Sequence, residues 1–220
     1  MITVAFFDTS ESLEENLLSM LCDEDEKNLI FKIKAPEIRK RRIASRALLN
    51  KLFSDIYEEK VPKIRYTGVG MPYFEGERVK FSISYASDIV ALALSDEGGI
   101  GIDLEDVSFK ERLERVNERF KEAIAPISCK KDENVSFDLN LLFFEKDLKS
   151  SAPFDFHKEK NAYEKARRFT SLESVLKLFG AGFSGIKKTE EYAEKVQIET
   201  LFFSHGAQHY TFSLAVEKRK

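Results

Sequence analysis

The sequence predicts an α+β protein built from two similar α/β halves. Its 220 residues are 43% hydrophobic and 12% aromatic, which is enough apolar material for a real core. Its elements run strand, helices, strands and then helices and strands again. No sequence repeat accompanies that rhythm. We expect the halves to divide near Glu105, with an N-terminal half at 1–105 and a C-terminal half at 106–220.

The N-terminal half opens with a strand that two helices follow. The run ITVAFF at 2–7 is strand-like, and the capping residues of DTSES precede a helix over 13–33. A second helix begins near Pro36, whose fixed φ suits a first helical position, and its apolar stripe should pack on another element. Short β-rich runs then predict a meander or hairpin sheet, at 63–74, 79–86, 89–95 and 100–105.

The C-terminal half repeats helices and then strands. A charged helix is predicted over 109–124, and a longer helix over 160–180 ends at Gly180, a common C-terminal stop. Two final strands, at 196–203 and 208–217, pair around the turn SHGA. The stretch between the two helices is poorly patterned, so that no element is assigned there.

Composition argues against several classes of protein. The net charge of −3 disfavours a dedicated nucleic-acid binder, although the basic stretch KIKAPEIRKRRIASR keeps that class as a third hypothesis. No apolar run approaches the roughly 20 residues of a membrane span, and the N-terminus lacks the basic start of a signal peptide, so we expect a cytoplasmic protein without a membrane partner. Cys22 and Cys129 have neither CxxC-type spacing nor a nearby His, which predicts neither a disulfide scaffold nor a zinc site.

Two pairs of charged residues have spacings that allow more than one interpretation. Asp103 and Glu105 share one face of a strand, because side chains alternate with a period of two. They are either a solvent-facing polar edge or, since two adjacent carboxylates repel each other, ligands of a hard cation such as Mg²⁺. Glu173 and Lys177, one helical turn apart, are either an exposed ion pair worth about 0.3–0.5 kcal/mol or part of the same site.

The helix from Pro36 carries a dense group of cations. They are either a solvated face or a phosphate clamp, and the second interpretation depends on whether other parts of a phosphate site recur in the chain. The group consists of Arg39, Lys40, Arg41, Arg42 and Arg46.

Four motifs occur together in a recognisable order. A basic helix ending in SRALL is followed by GMPYF, by FSIS with GIGIDLE, and by FTSLESVLKLFG. This order resembles the 4'-phosphopantetheinyl transferase superfamily, in particular the longer type that activates peptide and fatty-acid synthases. The resemblance extends roughly over 36–185, and its most specific part is the joint presence of GIDLE and ESVLK. It implies a pseudo-dimeric fold of two similar halves in a single, monomeric chain.

The resemblance implies an enzyme that transfers the phosphopantetheine arm of coenzyme A to a serine hydroxyl of an acyl or peptidyl carrier protein. Matched motif by motif, Asp103, Glu105 and Glu173 correspond to the acids that hold Mg²⁺, and Lys177 to the lysine that approaches the pyrophosphate. The metal would neutralise the pyrophosphate and stabilise the departing adenosine 3',5'-bisphosphate. Glu173 is also expected to take the serine proton, directly or through water.

Binding of coenzyme A is expected on the first half of the chain. Arg41 and Arg46 are the best placed side chains to hold its 3'-phosphate or pyrophosphate. Ser84 and Tyr85 occupy the strand that reads Ser-Ile-Ser-His-Ser in the family, and they are candidate coenzyme A contacts too.

The chain departs from the family where phosphates are bound. Tyr85 and Ala86 replace the family's His and Ser, and Met71 and Leu172 stand where lysines are usual, while Phe169 replaces a Trp. Charge-assisted hydrogen bonds contribute about 1.5–3 kcal/mol, so a tenfold or greater loss of coenzyme A affinity is expected unless other cations compensate. A non-catalytic relative that binds coenzyme A or a carrier protein is therefore the alternative. The long segment 125–156 lies where relatives dock the carrier.

Overall fold

The chain alternates between helices and short strands. The computed structural model describes residues 1–10, 18, 24–76, 78–128, 139–144 and 156–218. In chain order the elements are β1 (Ile2–Asp8), α1 (Glu24–Phe31), α2 (Pro36–Tyr57), β2 (Ile64–Tyr66), β3 (Pro72–Phe74), β4 (Lys80–Ala86), β5 (Ile89–Ser95), β6 (Ile100–Asp106), α3 (Lys110–Arg119), α4 (Lys121–Ser128), β7 (Leu139–Phe144), α5 (Phe156–Leu178), a 3₁₀ helix (Gly182–Lys188), α6 (Thr189–Lys195), β8 (Val196–His205) and β9 (Gln208–Glu217).

The first sheet has the strand order β4-β5-β1-β7. β5 runs antiparallel to β4 and β1, whereas β7 runs parallel to β1. Alternate residues of β1 enter different cores: Ala5 and Phe7 join the cluster that contains Leu52 of α2, and Val4 and Phe6 join the cluster that faces the second sheet. Both faces of this sheet are therefore covered, which explains why β5 is buried throughout and reads as a continuous apolar run.

The second sheet has the order β6-β9-β8 and is antiparallel throughout. Its inner face packs on the first sheet, where Ile102, Leu104 and Phe212 share a cluster with Phe6. The rings of Phe6 and Phe212 meet edge to face, with centroids 5.1 Å apart. The outer face of β6 and β9 is covered by α5.

Serine hydroxyls join the two sheets where β4 lies beside β6. The amide of Ile102 donates to Ser82 Oγ and the amide of Leu104 donates to Ser84 Oγ, each at 3.1 Å. From the first of these bonds to the second, the sequence number rises by two in β4 and also by two in β6, so the two strands are parallel. The serine Oγ atoms thus accept the hydrogen bonds of β6 amides, a role that backbone carbonyl oxygens have within a continuous sheet.

α5 packs unusually close to β6 because Gly101 has no side chain. A Cβ at Gly101 would lie 2.0 Å from the carbonyl oxygen of Ser174 and 2.5 Å from the amide nitrogen of Leu178. Both atoms belong to the helix backbone, so no side-chain movement relieves such a clash. Gly101, Asp103 and Glu105 alternate onto the same face of β6, which is therefore the face toward α5.

The structure confirms the α+β class and most of the predicted elements, including β1, α2, the β4–β5 hairpin, α5 and the final hairpin. The single hairpin sheet predicted for the first half is wrong, because β2 and β3 form a separate two-stranded sheet and β6 pairs with β9 instead of β5. Gly180 follows α5 with φ +60°, as its predicted role as a C-terminal stop requires. None of the helices in the described part of the chain is long and apolar enough to cross a bilayer. Cys22 and Cys129 lie outside the described residues, and so does most of 13–23 in the first predicted helix.

Three expectations about elements need correction or addition. The prediction of one charged helix over 109–124 is wrong, because α3 ends at Arg119 and α4 begins at Lys121. Between them, the ring of Phe120 stacks on that of Phe183, with centroids 5.1 Å apart. β7 lies in the unassigned stretch, and the 3₁₀ helix and α6 between α5 and β8 were not predicted. β6, assigned to the N-terminal half, pairs with β9, and the position at which the halves divide stays a prediction.

We expect Gly101→Ala to destabilise the protein by about 3 kcal/mol or more, because the new Cβ meets helix backbone that must move. Gly99→Ala is the matched control, since its Cβ would meet the flexible Leu178 Cδ1 at 2.8 Å, and a loss below about 1 kcal/mol is expected there. Urea denaturation of both variants measures the difference. Equal losses would contradict the close approach of α5 at Gly101.

Candidate active site

The carboxylates of β6 are buried beneath α5. Asp103 is 3% exposed and Glu105 is 6% exposed, so neither lies on a solvent-facing edge of the sheet. Their strand places both on the face that α5 covers, and Glu173 and Lys177 belong to that helix. The structure therefore brings these four predicted residues to one region.

Asp103 is the centre of this group. Its Oδ1 accepts hydrogen bonds from Ser84 Oγ at 2.7 Å and from Lys177 Nζ at 2.8 Å. Lys177 Nζ also donates to Ser84 Oγ at 3.1 Å. Three elements, β4, β6 and α5, thus meet at one carboxylate oxygen. The other oxygen, Oδ2, is buried without a hydrogen-bond partner.

Glu105 has a partner that the sequence did not reveal. Arg112 of α3 donates from Nη1 to Glu105 Oε2, and the Arg112 side chain is 49% exposed although its partner is buried. The guanidinium carbon lies 5.9 Å from the ring centroid of Phe169. No motif marks Arg112, because its link to Glu105 depends on how α3 folds back after β6.

Burial and mutual repulsion change the proton affinities in this group. Burial, followed by the negative charge of Asp103, raises the pKa of Glu105 to about 7 against the opposing effect of Arg112. The same two causes raise the pKa of Glu173 to about 7, opposed by Lys177 and Arg112. Burial lowers the pKa of Lys177, but Asp103 and Glu173 outweigh that effect and the pKa is raised.

The acids do not form a ready-made metal cage. Within the ranges that the structure describes, no three or more His, Cys, Asp or Glu side chains are placed together to hold a metal ion. Lys177 and Arg112 instead occupy one oxygen each of Asp103 and Glu105. The donors are nevertheless all carboxylates, which Mg²⁺ prefers, and Asp103 Oδ2 is a buried acceptor without a donor. The residues thus fit an open site for a hard divalent cation that takes water and phosphate oxygens as further ligands.

The candidate coenzyme A residues fall into two groups. Ser84 belongs to the carboxylate group through Asp103 and Lys177. Tyr85 points to the opposite face of β4, where its hydroxyl donates to Ser45 Oγ at 2.9 Å on α2. Arg41, also on α2, is half-buried.

Arg46 is not part of a solvated basic face. It is 1% exposed, its Nε donates to Glu26 of α1, and its Nη2 donates to the Tyr66 hydroxyl at 3.1 Å. Burial lowers the pKa of Arg46, and Glu26 and the two tyrosines Tyr66 and Tyr85 more than reverse that effect. Its Nη1, which carries two N–H donors, is buried without a hydrogen-bond partner, and this is rare for a guanidinium.

Replacing Glu173 by Gln should change stability in a pH-dependent way. The raised pKa means that the folded state favours the neutral form of Glu173 over the charged form. Below the unfolded pKa of about 4.5 the side chain is neutral in both states and does not destabilise the fold. As the pH rises through about 7 the buried side chain becomes charged, and the free energy of unfolding falls. In EDTA, Glu173→Gln should therefore be more stable than the wild type at pH 8 by roughly 1–3 kcal/mol, and the gain should vanish at pH 4.5.

Urea unfolding at the two pH values measures this effect. Glu114→Gln is the control, because the pKa of Glu114 is lowered by Lys165 and the sign is opposite: its loss of stability should appear at pH 8. A gain for Glu173→Gln that is the same at both pH values would contradict the buried, repelled carboxylate.

Comparison with known proteins gives partial similarities. No family model matches the chain. Over 107 residues, or 48% of the chain, it is 33% identical to the uncharacterized protein YieE of Escherichia coli (strain K12), and this stretch covers 38% of that protein. Over 68 residues, or 30% of the chain, it is 41% identical to the 4'-phosphopantetheinyl transferase AcpT of Escherichia coli (strain K12), of which 32% is covered. The chain thus spans about a third of the length of each relative, and it is a partial homologue of a phosphopantetheinyl transferase.

Proposed function

We propose that the protein transfers the phosphopantetheine arm of coenzyme A to a serine hydroxyl of an acyl or peptidyl carrier protein, in a Mg²⁺-dependent reaction. One observation carries the proposal: Ser84, Asp103 and Lys177 converge from three elements, with Glu105 and Glu173 beside them. The partial similarity to AcpT supports the same chemistry.

The reaction needs charge neutralisation and a base. The serine oxygen bonds to the phosphorus next to the pantetheine, the bond from that phosphorus to the bridging oxygen breaks, and adenosine 3',5'-bisphosphate leaves. Glu173, whose proton affinity is increased by burial, takes the serine proton. Lys177 donates to the departing phosphate oxygens. Asp103, Glu105 and Glu173 would hold the Mg²⁺, which neutralises the pyrophosphate when bound.

Ser84 orients the side chains of Asp103 and Lys177. Its hydroxyl donates to Asp103 and accepts from Leu104 and Lys177, so both the acid and the cation are oriented by one side chain. In this proposal Arg41 and Arg46 of α2 supply the charge for the 3'-phosphate of coenzyme A, for which the buried Arg46 guanidinium would first have to be uncovered. Glu26 would then have to share the Arg46 guanidinium with the phosphate.

Two similar halves are part of this proposal. Each of the two larger sheets contains an antiparallel hairpin, β4–β5 or β8–β9, and each is covered by one long helix, α2 with 22 residues or α5 with 23. The seam between β4 and β6 is where the halves of a pseudo-dimer would meet, and the candidate site lies along it. We expect the protein to act as a monomer in the cytoplasm.

A second candidate function is a non-catalytic protein that binds coenzyme A or a carrier protein. The observation that favours it is Tyr85, a neutral phenol already bonded to Ser45, where the family has a histidine. Binding without transfer distinguishes this function from the enzyme.

Intact-mass spectrometry of an apo acyl carrier protein, incubated with this protein, coenzyme A and Mg²⁺, tests the transfer. We expect a gain of one phosphopantetheine that requires Mg²⁺, and a rate at least roughly 100-fold lower for Asp103→Asn and Glu173→Gln, since each removes a charge or base at the reacting centre. Glu191→Gln, which changes an exposed ion pair with Lys195, is the control and should retain activity. Coenzyme A binding without any mass gain across several apo carriers would establish the second function instead.

A further inference from the structure

Two cations of the protein pair with the carboxylates of β6. Lys177 holds Asp103 from the α5 side, with its Nζ 2.8 Å from Oδ1. Arg112 holds Glu105 from the α3 side, through Nη1 and Oε2. A divalent cation that uses the same oxygens of Asp103 and Glu105 has to displace both.

Arg112 is placed where it can exchange partners. Its side chain is 49% exposed, whereas that of Glu105 is 8% exposed, so the guanidinium is at the mouth of the buried group. The ring of Phe169 lies beneath it at 5.9 Å, and this contact supports the guanidinium without using its N–H donors. Of the five N–H donors of an arginine, the bond to Glu105 Oε2 occupies one, and planar pairs of donors match phosphate oxygens.

The position of Arg112 in α3 is unfavourable for the helix itself. It is the third residue of α3, and a cation in the first helical turn opposes the helix dipole. The same dipole favours an anion at this end of the helix. Arg112 and the start of α3 therefore add positive potential at the mouth of the site.

We propose that Arg112 is a phosphate-binding residue of the transfer reaction, which exchanges its pairing with Glu105 for a phosphate oxygen of coenzyme A when a divalent cation takes the carboxylate. This inference rests on the proposed function. The exchange leaves no buried charge unpaired, because Glu105 passes from one cation to another while the guanidinium passes from a carboxylate to a phosphate.

The exchange predicts opposite effects of one substitution on two ligands. Arg112→Ala should bind Mg²⁺ alone at least 5-fold more tightly, since Glu105 is no longer occupied. In the presence of saturating Mg²⁺ it should bind coenzyme A at least 10-fold more weakly. Arg115→Ala is the control on the exposed side of the same helix, and it should change neither affinity by more than 2-fold. Titration calorimetry measures each affinity, and the thermal transition of each variant verifies folding.

A second variant separates charge from hydrogen-bond geometry. Arg112→Lys keeps the charge but not the planar pair of donors, so Mg²⁺ affinity should stay within 2-fold of the wild type and coenzyme A affinity should fall at least 3-fold. Affinities for Mg²⁺ and coenzyme A that both fall or both stay unchanged in Arg112→Ala would overturn the proposal and leave Arg112 as a structural counter-ion. These titrations need no carrier protein, so they test the Arg112 proposal separately from the transfer reaction. If the affinities change as expected but the wild type transfers no phosphopantetheine, only the proposed reaction is refuted. A wild type that binds neither Mg²⁺ nor coenzyme A refutes both the reaction and the role of Arg112.

Discussion

The close packing of α5 against β6 is the contact on which the candidate site depends. It exists because Gly101 places no atom between the strand and the helix backbone at Ser174 and Leu178. Asp103 and Glu105 lie two and four residues further along the same face, so the helix that reaches Gly101 also covers the carboxylates. Burial of the acids and their distance from α5 are thus set by one missing side chain.

Burial of several like charges at the candidate site lowers the stability of the fold. The described core elsewhere is dominated by aliphatic and aromatic side chains, whereas here acids from β6 and α5 repel one another in a poorly solvated environment. Cations from α5 and α3 offset only part of that repulsion. A group that is held in spite of its electrostatic cost is typical of a functional site, where stability is exchanged for the ability to bind a charged ligand.

The sequence predicts those features that depend on local pattern. Alternation and turn residues give β4, β5 and β6, and Pro36 and Gly180 give the ends of two long helices. Strand periodicity places Asp103 and Glu105 on one face, but only the resemblance to a family connects them with Glu173 and Lys177.

Long-range packing decides what pattern alone does not predict. β7 is a short apolar run whose partner, β1, lies more than 130 residues earlier, so no local signal distinguishes it. Arg46 reads as part of a basic face, yet it lies in the stretch 43–49 of α2, in which every residue is buried. Arg112 acquires its role only when α3 turns back over β6.

The seam of serine hydroxyls has a mechanical consequence. Ser84 Oγ gives its single proton to Asp103 and accepts from Leu104 and Lys177, which uses every hydrogen-bonding capacity of a hydroxyl. One oxygen atom therefore belongs both to the junction of the two sheets and to the carboxylate group. When Lys177 or Asp103 changes partner, that oxygen must readjust its remaining bonds, and the displacement reaches the sheet junction directly. The two sheets are thus coupled through Ser84 Oγ, the atom whose hydrogen bonds change with the charged side chains of the site.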